Sequence, residues 1–506
     1  MANENNKIGL IPATLMVAGN MMGSGVFMLP ANLAAIGSIA IFGWLITIVG
    51  AVALGLVFSK LTQIYTAAGG PYAYSRKAFG DYMGYQTNLV YWLANVVGNV
   101  GLAVAGLGYL TTFFPSLKDP LIMALAQIGV IWFFTYANIL GPNIVGRIQG
   151  MTTTVALLPI VGMAVFGWFW FSRDTYMAGW NVTGESNLTA LGMTLNFTLW
   201  AFIGVESASV STAVVKDPVR NVPIATVVGV LLAAVCYILS SSAIMGIIPN
   251  KELIASSAPF SDAVSMALGP VAGNIVALCA AVGCLGSLGG WTLLVGQTAK
   301  AAADEAFEAK WDRIKAAADD GLFGNVFARV NCRGVPSAGL AIVAGIMTLQ
   351  VLATMSPTAS EQFGKIASIA VIMTLLPYIY SSVAIKIIGR DKMSRGENVF
   401  YTFVGLIAAF YSMAAMIGSD PGQTRWALMF VISTVIFYEL AVSRKLDIKE
   451  NHIKPGGCVP FWVRWLVLIV TILALVAMFW ISVGRYHASS LHTRGHVQII
   501  NDIENL

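Results

Sequence analysis

The sequence predicts an all-α integral membrane protein with two inverted five-helix repeats whose helices 1 and 6 are broken, two further helices and a thirteenth span. Three observations predict it: the composition, the number of long apolar segments, and glycine-rich interruptions in the first and sixth of them. Hydrophobic residues make up 57% of the 506 residues and charged residues 10%, whereas soluble proteins average about 25% charged residues. So few charges could not cover the surface of a soluble fold of this size, so we expect lipid to be the main solvent.

Twelve apolar segments approach the length of about 20 residues that one helical crossing of a bilayer requires. They organise residues 1–445 into one transmembrane domain, with repeat 1 over about 8–172, repeat 2 over about 190–388, and helices 11 and 12 over about 399–443. The predicted spans are 8–29, 37–60, 82–112, 121–140, 149–172, 190–215, 222–248, 271–299, 337–357, 365–388, 399–418 and 425–443.

The C-terminal extension, residues 446–506, contains a further apolar segment at 461–484 in which Arg464 is the one charged residue. Its length predicts an additional transmembrane helix. The alternative is a helix that lies at the inner membrane surface.

Lys and Arg are distributed unevenly between the two sides of the predicted membrane. Through residue 454, the segments on the side of the N-terminus hold 21 of them, and the opposite loops hold five. Cytoplasmic loops carry the excess of Lys and Arg. We therefore expect a multi-pass membrane protein with a cytoplasmic N-terminus.

The first and sixth spans are interrupted by glycine and polar residues at mid-depth. The first contains Gly19-Asn20-Met21-Met22-Gly23-Ser24-Gly25, and the sixth contains Trp200-Ala201-Phe202-Ile203-Gly204-Val205-Glu206. Glycine is a poor helix former, although membrane helices also use it for close packing. Each interrupted span opens a set of five helices. Because five is an odd number of membrane crossings, the two sets are inverted relative to each other. Paired broken helices in this arrangement indicate the central binding site of a transporter.

The broken helices offer the polar groups that the backbone of an α-amino acid requires. Free amide N–H groups around Ser24 and Gly25 would attract a carboxylate, and free carbonyls would accept from an α-ammonium group. Aromatic rings could stack on a cationic side chain, although most tryptophans only pack or anchor the membrane interface. The candidate carbonyls belong to Met21, Trp200 and Ile203, and the candidate rings to Trp200, Trp291 and Tyr91.

Glu206 is the one carboxylate near the middle of a predicted span, and Tyr91, Asn95 and Asn99 share one face of the third span. An ionisable group at that depth costs at least about 2.5 kcal/mol to insert, so a functional role is the first hypothesis. A neutral, hydrogen-bonded structural glutamate is the alternative. The two amides are either ligand contacts or interhelical hydrogen bonds.

Several other classes of protein are excluded or disfavoured. The net charge of +5 is too small and too scattered for a nucleic-acid binder. The five cysteines have no metal or redox spacing, and all four histidines lie beyond residue 450, so no cofactor or metal site is expected. An enzyme is disfavoured because the predicted core lacks histidine and a nucleophile–base pair.

Three motifs resemble the basic amino acid/polyamine antiporters of the amino acid–polyamine–organocation superfamily. They are 20–26 with 29–33 in the first span, 200–208 in the sixth, and Gly286-Ser287-Leu288-Gly289-Gly290-Trp291 in the eighth. The resemblance covers residues 7–445 and is strongest to bacterial arginine/agmatine antiporters, followed by lysine/cadaverine and ornithine/putrescine antiporters. It implies the fold described above and a homodimer.

Transferred onto this sequence, the resemblance implies that Ser24 and Gly25 bind the substrate carboxylate and that Trp200 stacks on its cationic head. Trp291 would form a middle gate, and Tyr91, Glu206 and Tyr378 a gate nearer one mouth. The implied substrate-binding set is Asn20, Met21, Ser24, Gly25, Ala94, Asn95, Asn99, Trp200, Ile203, Trp291 and Ala370. Asn95 and Ala370 depart from the cysteine and serine of the arginine exchangers and resemble the lysine/cadaverine branch.

The resemblance implies an exchanger of the bacterial inner (plasma) membrane that imports a cationic amino acid and exports its decarboxylated amine, with arginine/agmatine expected first. Coupling to a cytoplasmic decarboxylase that consumes a proton would support acid resistance. Lysine/cadaverine and ornithine/putrescine exchange remain open, as does an ion-coupled cationic amino acid symporter on the same fold. A sensor that binds the ligand without transporting it is a further alternative.

Overall fold

The computed structural model describes residues 9–65, 70–206, 215–308, 330–331, 335–449 and 469, and its regular secondary structure within these ranges is helical. The chain divides into two compact units, 1–419 and 420–506. Eight of the described helices are long and apolar enough to cross a membrane. The all-helical membrane fold predicted from the sequence is confirmed.

Up to Trp200, the described residues form nine α-helices, with short 3-10 turns at 115–118 and 167–170. Their bounds are α1 Leu10–Met21, α2 Ser24–Ala34, α3 Ala40–Ile64, α4 Pro71–Phe79, α5 Asp81–Leu110, α6 Pro120–Leu140, α7 Pro142–Phe166, α8 Arg173–Ala178 and α9 Asn187–Trp200.

From Pro218 onward, the described residues form eight further α-helices. Their bounds are α10 Pro218–Ile247, α11 Asn250–Ala255, α12 Pro259–Leu268, α13 Pro270–Glu308, α14 Ser337–Ala353, α15 Ala359–Gly389, α16 Arg395–Ile417 and α17 Pro421–Lys449.

The helix packing repeats between the two sets of five spans. Helix α5 of the first set packs against α15 of the second, and the corresponding pair, α13 and α7, packs in the same way. Likewise α1 packs against α10, as α9 does against α3. The central contacts of α3 with α10 and of α5 with α13 join equivalent helices of the two sets. An odd number of spans in each set makes the repeats inverted.

The first and eighth spans are longer than the sequence prediction. The first span continues to Ala34, beyond the predicted end at 29, with Pro30 inside α2. The eighth span continues as α13 to Glu308 and includes the first of two Lys-Ala-Ala-Ala-Asp sequences. The second of these, at 315–319, and the predicted helix 461–484, apart from residue 469, lie outside the described residues.

Candidate functional site

The first transmembrane span is broken between α1 and α2. The amide of Met22 donates to the carbonyl of Ala18 at 2.8 Å, and that of Gly23 donates to the carbonyl of Met21 at 2.8 Å. Helix α2 then begins at Ser24, and no described side chain caps it. The first N–H groups of a helix have no partner within it and carry partial positive charge. This break therefore offers backbone donors to an anion.

The sixth span is broken after α9. Residues 201–206 form turns, in which the amide of Ile203 donates to the carbonyl of Trp200 at 3.2 Å. Gly204 has φ of +107°, a conformation that residues with a Cβ rarely adopt. The carbonyls of Met21 and Trp200 thus each accept one hydrogen bond already, and each retains a second lone pair.

A cavity of about 50 Å³ lies beside both breaks. At roughly 10–15 Å³ for each water molecule, this volume holds a few waters. Its wall combines the two broken spans with α5, α13 and α15. The lining residues are Met21, Gly23, Gly25, Ala94, Asn95, Gly98, Asn99, Leu102, Trp200, Ile203, Trp291, Ala370 and Thr374.

Glycines fix the position of the Trp200 indole in this wall. A Cβ added to Gly25 would lie 3.0 Å from Cδ1 of Trp200, and one added to Gly98 would lie 3.3 Å from its Cη2. Phe363 packs edge-on against the same ring, with the centroids 5.7 Å apart. The close approach of α2 and α5 to Trp200 therefore depends on the absence of a side chain at Gly25 and at Gly98.

Two asparagines of α5 differ in their hydrogen bonding. Asn95 donates from Nδ2 to the carbonyl of Tyr91 at 2.8 Å. Asn99 is 1% exposed, and its Nδ2 has no hydrogen-bond partner among the described residues. An unpaired buried polar group costs about 1–3 kcal/mol. Asn99 therefore has the strongest requirement for a polar ligand in the cavity wall.

Helix α13 presents Trp291 to the cavity because its glycines face the other way. A Cβ on Gly286 would collide with Thr152 of α7, and one on Gly290 would collide with Gln149 of the same helix. Ser287, one helical turn before Trp291, lies beside Gly23 at the first break. The glycine-rich motif thus combines close helix packing with one large aromatic residue in the cavity wall.

Glu206 is fully buried beside the cavity. Its Oε1 accepts from the hydroxyl of Tyr91 at 2.6 Å, and its Oε2 accepts from the hydroxyl of Tyr378 at 2.7 Å. The amide of Gly204 donates to Oε2 at 3.3 Å. The carboxylate thus joins α5, α15 and the break after α9, and none of the three side chains is among those that line the cavity.

Thr374 is a site residue that the sequence interpretation missed. Its hydroxyl donates to the carbonyl of Ala370 at 2.8 Å, so its lone pairs remain available to accept from a ligand. Gly23, Gly98 and Leu102 were missed as well. The spacing of four residues from Ala370 was the available signal for Thr374, because such a spacing repeats one helix face.

Nine of the predicted binding residues lie together in the cavity wall. At the other two, Asn20 and Ser24, the structure describes only the backbone. The resemblance implies a cluster of Tyr91, Glu206 and Tyr378, and hydrogen bonds join these three side chains in the structure. Their role as a gate stays a prediction. Among the described residues, no group of three or more His, Cys, Asp or Glu could hold a metal ion.

Comparisons with known proteins place the chain in a transporter family. The model of the amino acid permease family matches residues 8–308. A cadaverine/lysine antiporter of Escherichia coli is 38% identical over 456 residues, which cover 88% of this chain and 96% of that protein. The putrescine transporter PotE of Escherichia coli is 35% identical over 450 residues, covering 89% and 99% of the two chains. The PotE of Haemophilus influenzae is 33% identical over 451 residues, covering 89% of this chain and 100% of that protein.

These relatives are transporters rather than enzymes, and they exchange or carry amines and amino acids. The family model covers both interrupted spans and all residues of the cavity wall except Ala370 and Thr374. The chain belongs to the amino acid permease family, as a multi-pass membrane transporter.

Proposed function

We propose that the protein exchanges a cationic amino acid for its decarboxylated amine across the bacterial inner membrane, with lysine and cadaverine as the preferred pair. The observation that carries the proposal is one cavity that combines the uncapped start of α2 with Trp200 and the unpaired amide of Asn99. Backbone donors suit a carboxylate, and an indole face suits a cation. The amine lacks the carboxylate, so its affinity would rest mainly on the second group of contacts.

The surroundings of Ala370 support lysine over arginine, which the sequence interpretation ranked first. A guanidinium presents five donors in a planar fork, whereas an ammonium is a compact charge with three donors. The cavity that Ala370 lines also offers the hydroxyl oxygen of Thr374 and the side chain of Asn95. Few acceptors in a small cavity favour the smaller head, and the 38% identity to a cadaverine/lysine antiporter supports the same choice.

Ornithine/putrescine exchange is the second candidate, because two putrescine transporters are 35% and 33% identical to the chain. Ornithine and putrescine carry the same ammonium head on a stem one methylene shorter. One methylene in an apolar pocket discriminates by about 1–3 kcal/mol. A direct comparison of the two pairs therefore separates them.

Two groups of residues would control the transport cycle. Tyr91, Glu206 and Tyr378 would close the path between the cavity and one mouth, and Trp291 would act as the middle gate. The N-terminus would lie in the cytoplasm. Lysine would enter the cell with a charge of +1, and cadaverine would leave it with a charge of +2. Each turnover would then export one net positive charge. A homodimer, and a cytoplasmic lysine decarboxylase that supplies the amine, complete the proposed system.

The test is uptake of radiolabelled lysine, arginine and ornithine into proteoliposomes loaded with cadaverine, agmatine or putrescine. We expect lysine uptake into cadaverine-loaded vesicles to have the highest kcat/KM. A higher value for arginine with agmatine, or for ornithine with putrescine, would overturn the substrate assignment. Uptake that depends on a Na⁺ gradient and not on an internal substrate would identify an ion-coupled symporter instead.

A further inference from the structure

Tyr109, near the end of α5, links three structural elements through its hydroxyl group. The hydroxyl donates to the carbonyl of Phe27 in α2 at 2.8 Å and accepts from the amide of Phe260 in α12 at 3.2 Å. Tyr109 is fully buried and is not among the residues that line the cavity. Both functions of the hydroxyl, donor and acceptor, are used inside the protein.

The rings of the three residues form one buried cluster. Phe27 packs edge-on against Tyr109, with centroids 5.7 Å apart, and against Phe260 at 5.2 Å. All three side chains are fully buried. Edge-to-face pairs add about 0.5–1.5 kcal/mol each beyond their buried area. The cluster therefore holds the beginning of α2 firmly against α5 and α12.

Among the polar contacts that the structure describes between α2 and other helices, the Tyr109 contact is the one close to its first turn. The others lie near its end: Asn32 donates to Oγ of Ser360 at 3.1 Å, and Asn250 donates to the carbonyl of Ala34 at 2.8 Å. Between the two regions stands Pro30, which lacks an N–H group and interrupts the helical hydrogen bonds. The end contacts therefore control the direction of the first turn less than Tyr109 does.

We propose that Tyr109 is a positioning residue that aims the first amides of α2 at the substrate carboxylate and thereby favours the amino acid over the amine. The inference rests on the function proposed above. Hydrogen bonds to a charged group depend strongly on their angle, so a small rotation of the first turn weakens them. Only the amino acid carries the carboxylate. The loss of the hydroxyl should therefore weaken the binding of the amino acid and leave the binding of the amine nearly unchanged.

The experiment compares Tyr109→Phe with the parent protein in proteoliposomes and measures KM for external lysine and for external cadaverine in the same preparation. We expect the KM for lysine to rise about tenfold, equivalent to about 1.4 kcal/mol, and the KM for cadaverine to stay within about twofold. A smaller folded fraction lowers both maximal rates equally and leaves the ratio of the two KM values unchanged.

The matched control is Tyr176→Phe, since that buried hydroxyl also donates to a backbone carbonyl, that of Ser38 at 3.1 Å, away from the first turn of α2. We expect both KM values to stay unchanged. If Tyr109→Phe gives no active protein, Phe27→Leu removes the ring contact and keeps the carbonyl, and it should shift the ratio in the same direction.

An unchanged KM ratio in the active variant, or an equal rise for both substrates, overturns the positioning role. A parent protein that exchanges lysine for cadaverine but fails this test leaves the proposed function intact. A parent protein that does not transport the amine at all refutes the proposed function itself.

Discussion

The hydroxyl of Tyr378 donates to Oε2 of Glu206 at 2.7 Å and so joins α15 to the break in the sixth span. Tyr91 binds the other carboxylate oxygen at 2.6 Å, which adds α5 to the same cluster. A fully buried carboxyl group that joins three elements beside a binding cavity suits a contact that forms and breaks during transport. Hydrogen bonds to an ionised group contribute about 1.5–3 kcal/mol each.

We predict that Glu206→Gln lowers the exchange rate at least about tenfold while the Kd for lysine changes less than about threefold. An amide can accept from one tyrosine, but it places its NH2 group against the other, so at least one strong bond is weakened. Substrate contacts remain, because Glu206 is not in the cavity wall. Uptake assays and calorimetry on the same preparation measure both quantities.

Glu361→Gln is the matched control, because Glu361 pairs with Lys365 on an exposed surface, where ion pairs contribute little. We expect normal exchange. If the Kd of Glu206→Gln rises in proportion to the loss of transport, Glu206 belongs to the binding site and not to a gate.

We predict that Gly98→Val weakens the binding of both lysine and cadaverine by about tenfold or more. The first added carbon would already lie 3.3 Å from Cη2 of Trp200, and the valine methyl groups would displace the indole on which, in the proposed function, the cation stacks. Overpacking of this kind costs about 1–3 kcal/mol. Equilibrium binding of the two radiolabelled substrates measures the effect.

Gly129→Val is the control for the change in helix propensity, since nothing lies within 4 Å of a Cβ at Gly129. Its binding should match the parent protein. Normal binding by Gly98→Val would mean that Trp200 does not contact the substrate.

We predict that Trp291→Leu lowers exchange far more than it weakens equilibrium binding, because a gate controls passage more than occupancy. The position of Trp291 in the cavity wall, opposite the glycines that pack on α7, supports this expectation. Rates in proteoliposomes and the Kd in detergent separate the two effects. Parallel losses would assign Trp291 to substrate binding.

We predict that Ala370→Ser raises the arginine-to-lysine ratio of kcat/KM, by about tenfold if the new hydroxyl makes one charge-assisted hydrogen bond. Both Ala370 and Thr374 line the cavity, and a second hydroxyl supplies an acceptor that the larger guanidinium can use. Competition between the two labelled amino acids measures the ratio. A flat or falling ratio would show that position 370 does not face the cationic head.

Thr374→Val tests the neighbouring acceptor, because it keeps the shape of the side chain and removes the hydroxyl. We expect it to weaken lysine and cadaverine binding to a similar extent, since both carry the terminal ammonium. A loss confined to lysine would place Thr374 near the carboxylate instead.

Hydropathy located the helical spans because lipid requires long apolar segments, and the break at Gly23 followed from glycine and polar residues at mid-depth. The amphipathic helix α4 was missed because its composition is too polar for that criterion. The continuation of α2 past Pro30 was missed as well, since proline usually ends a helix and only neighbouring elements such as α15, through Ser360, stabilise that segment.

The cavity wall was predicted where a residue's chemistry is visible by itself, as for Trp200 and Asn99. It was missed where the role depends on a distant neighbour. Gly98 matters only because the indole of Trp200, about 100 positions later in the chain, lies against it. Thr374 is one hydroxyl among many in the sequence, and only the packing of α15 against α5 brings it to the cavity.

Lysine uptake into proteoliposomes, with and without internal cadaverine and under an imposed membrane potential, distinguishes exchange from every other mode of transport. We predict uptake only with internal amine, one amine leaving for each lysine that enters, and slower exchange when the inside is negative, because each turnover of the proposed exchange exports one positive charge. Equal uptake into empty vesicles, or uptake unaffected by the potential, would contradict it.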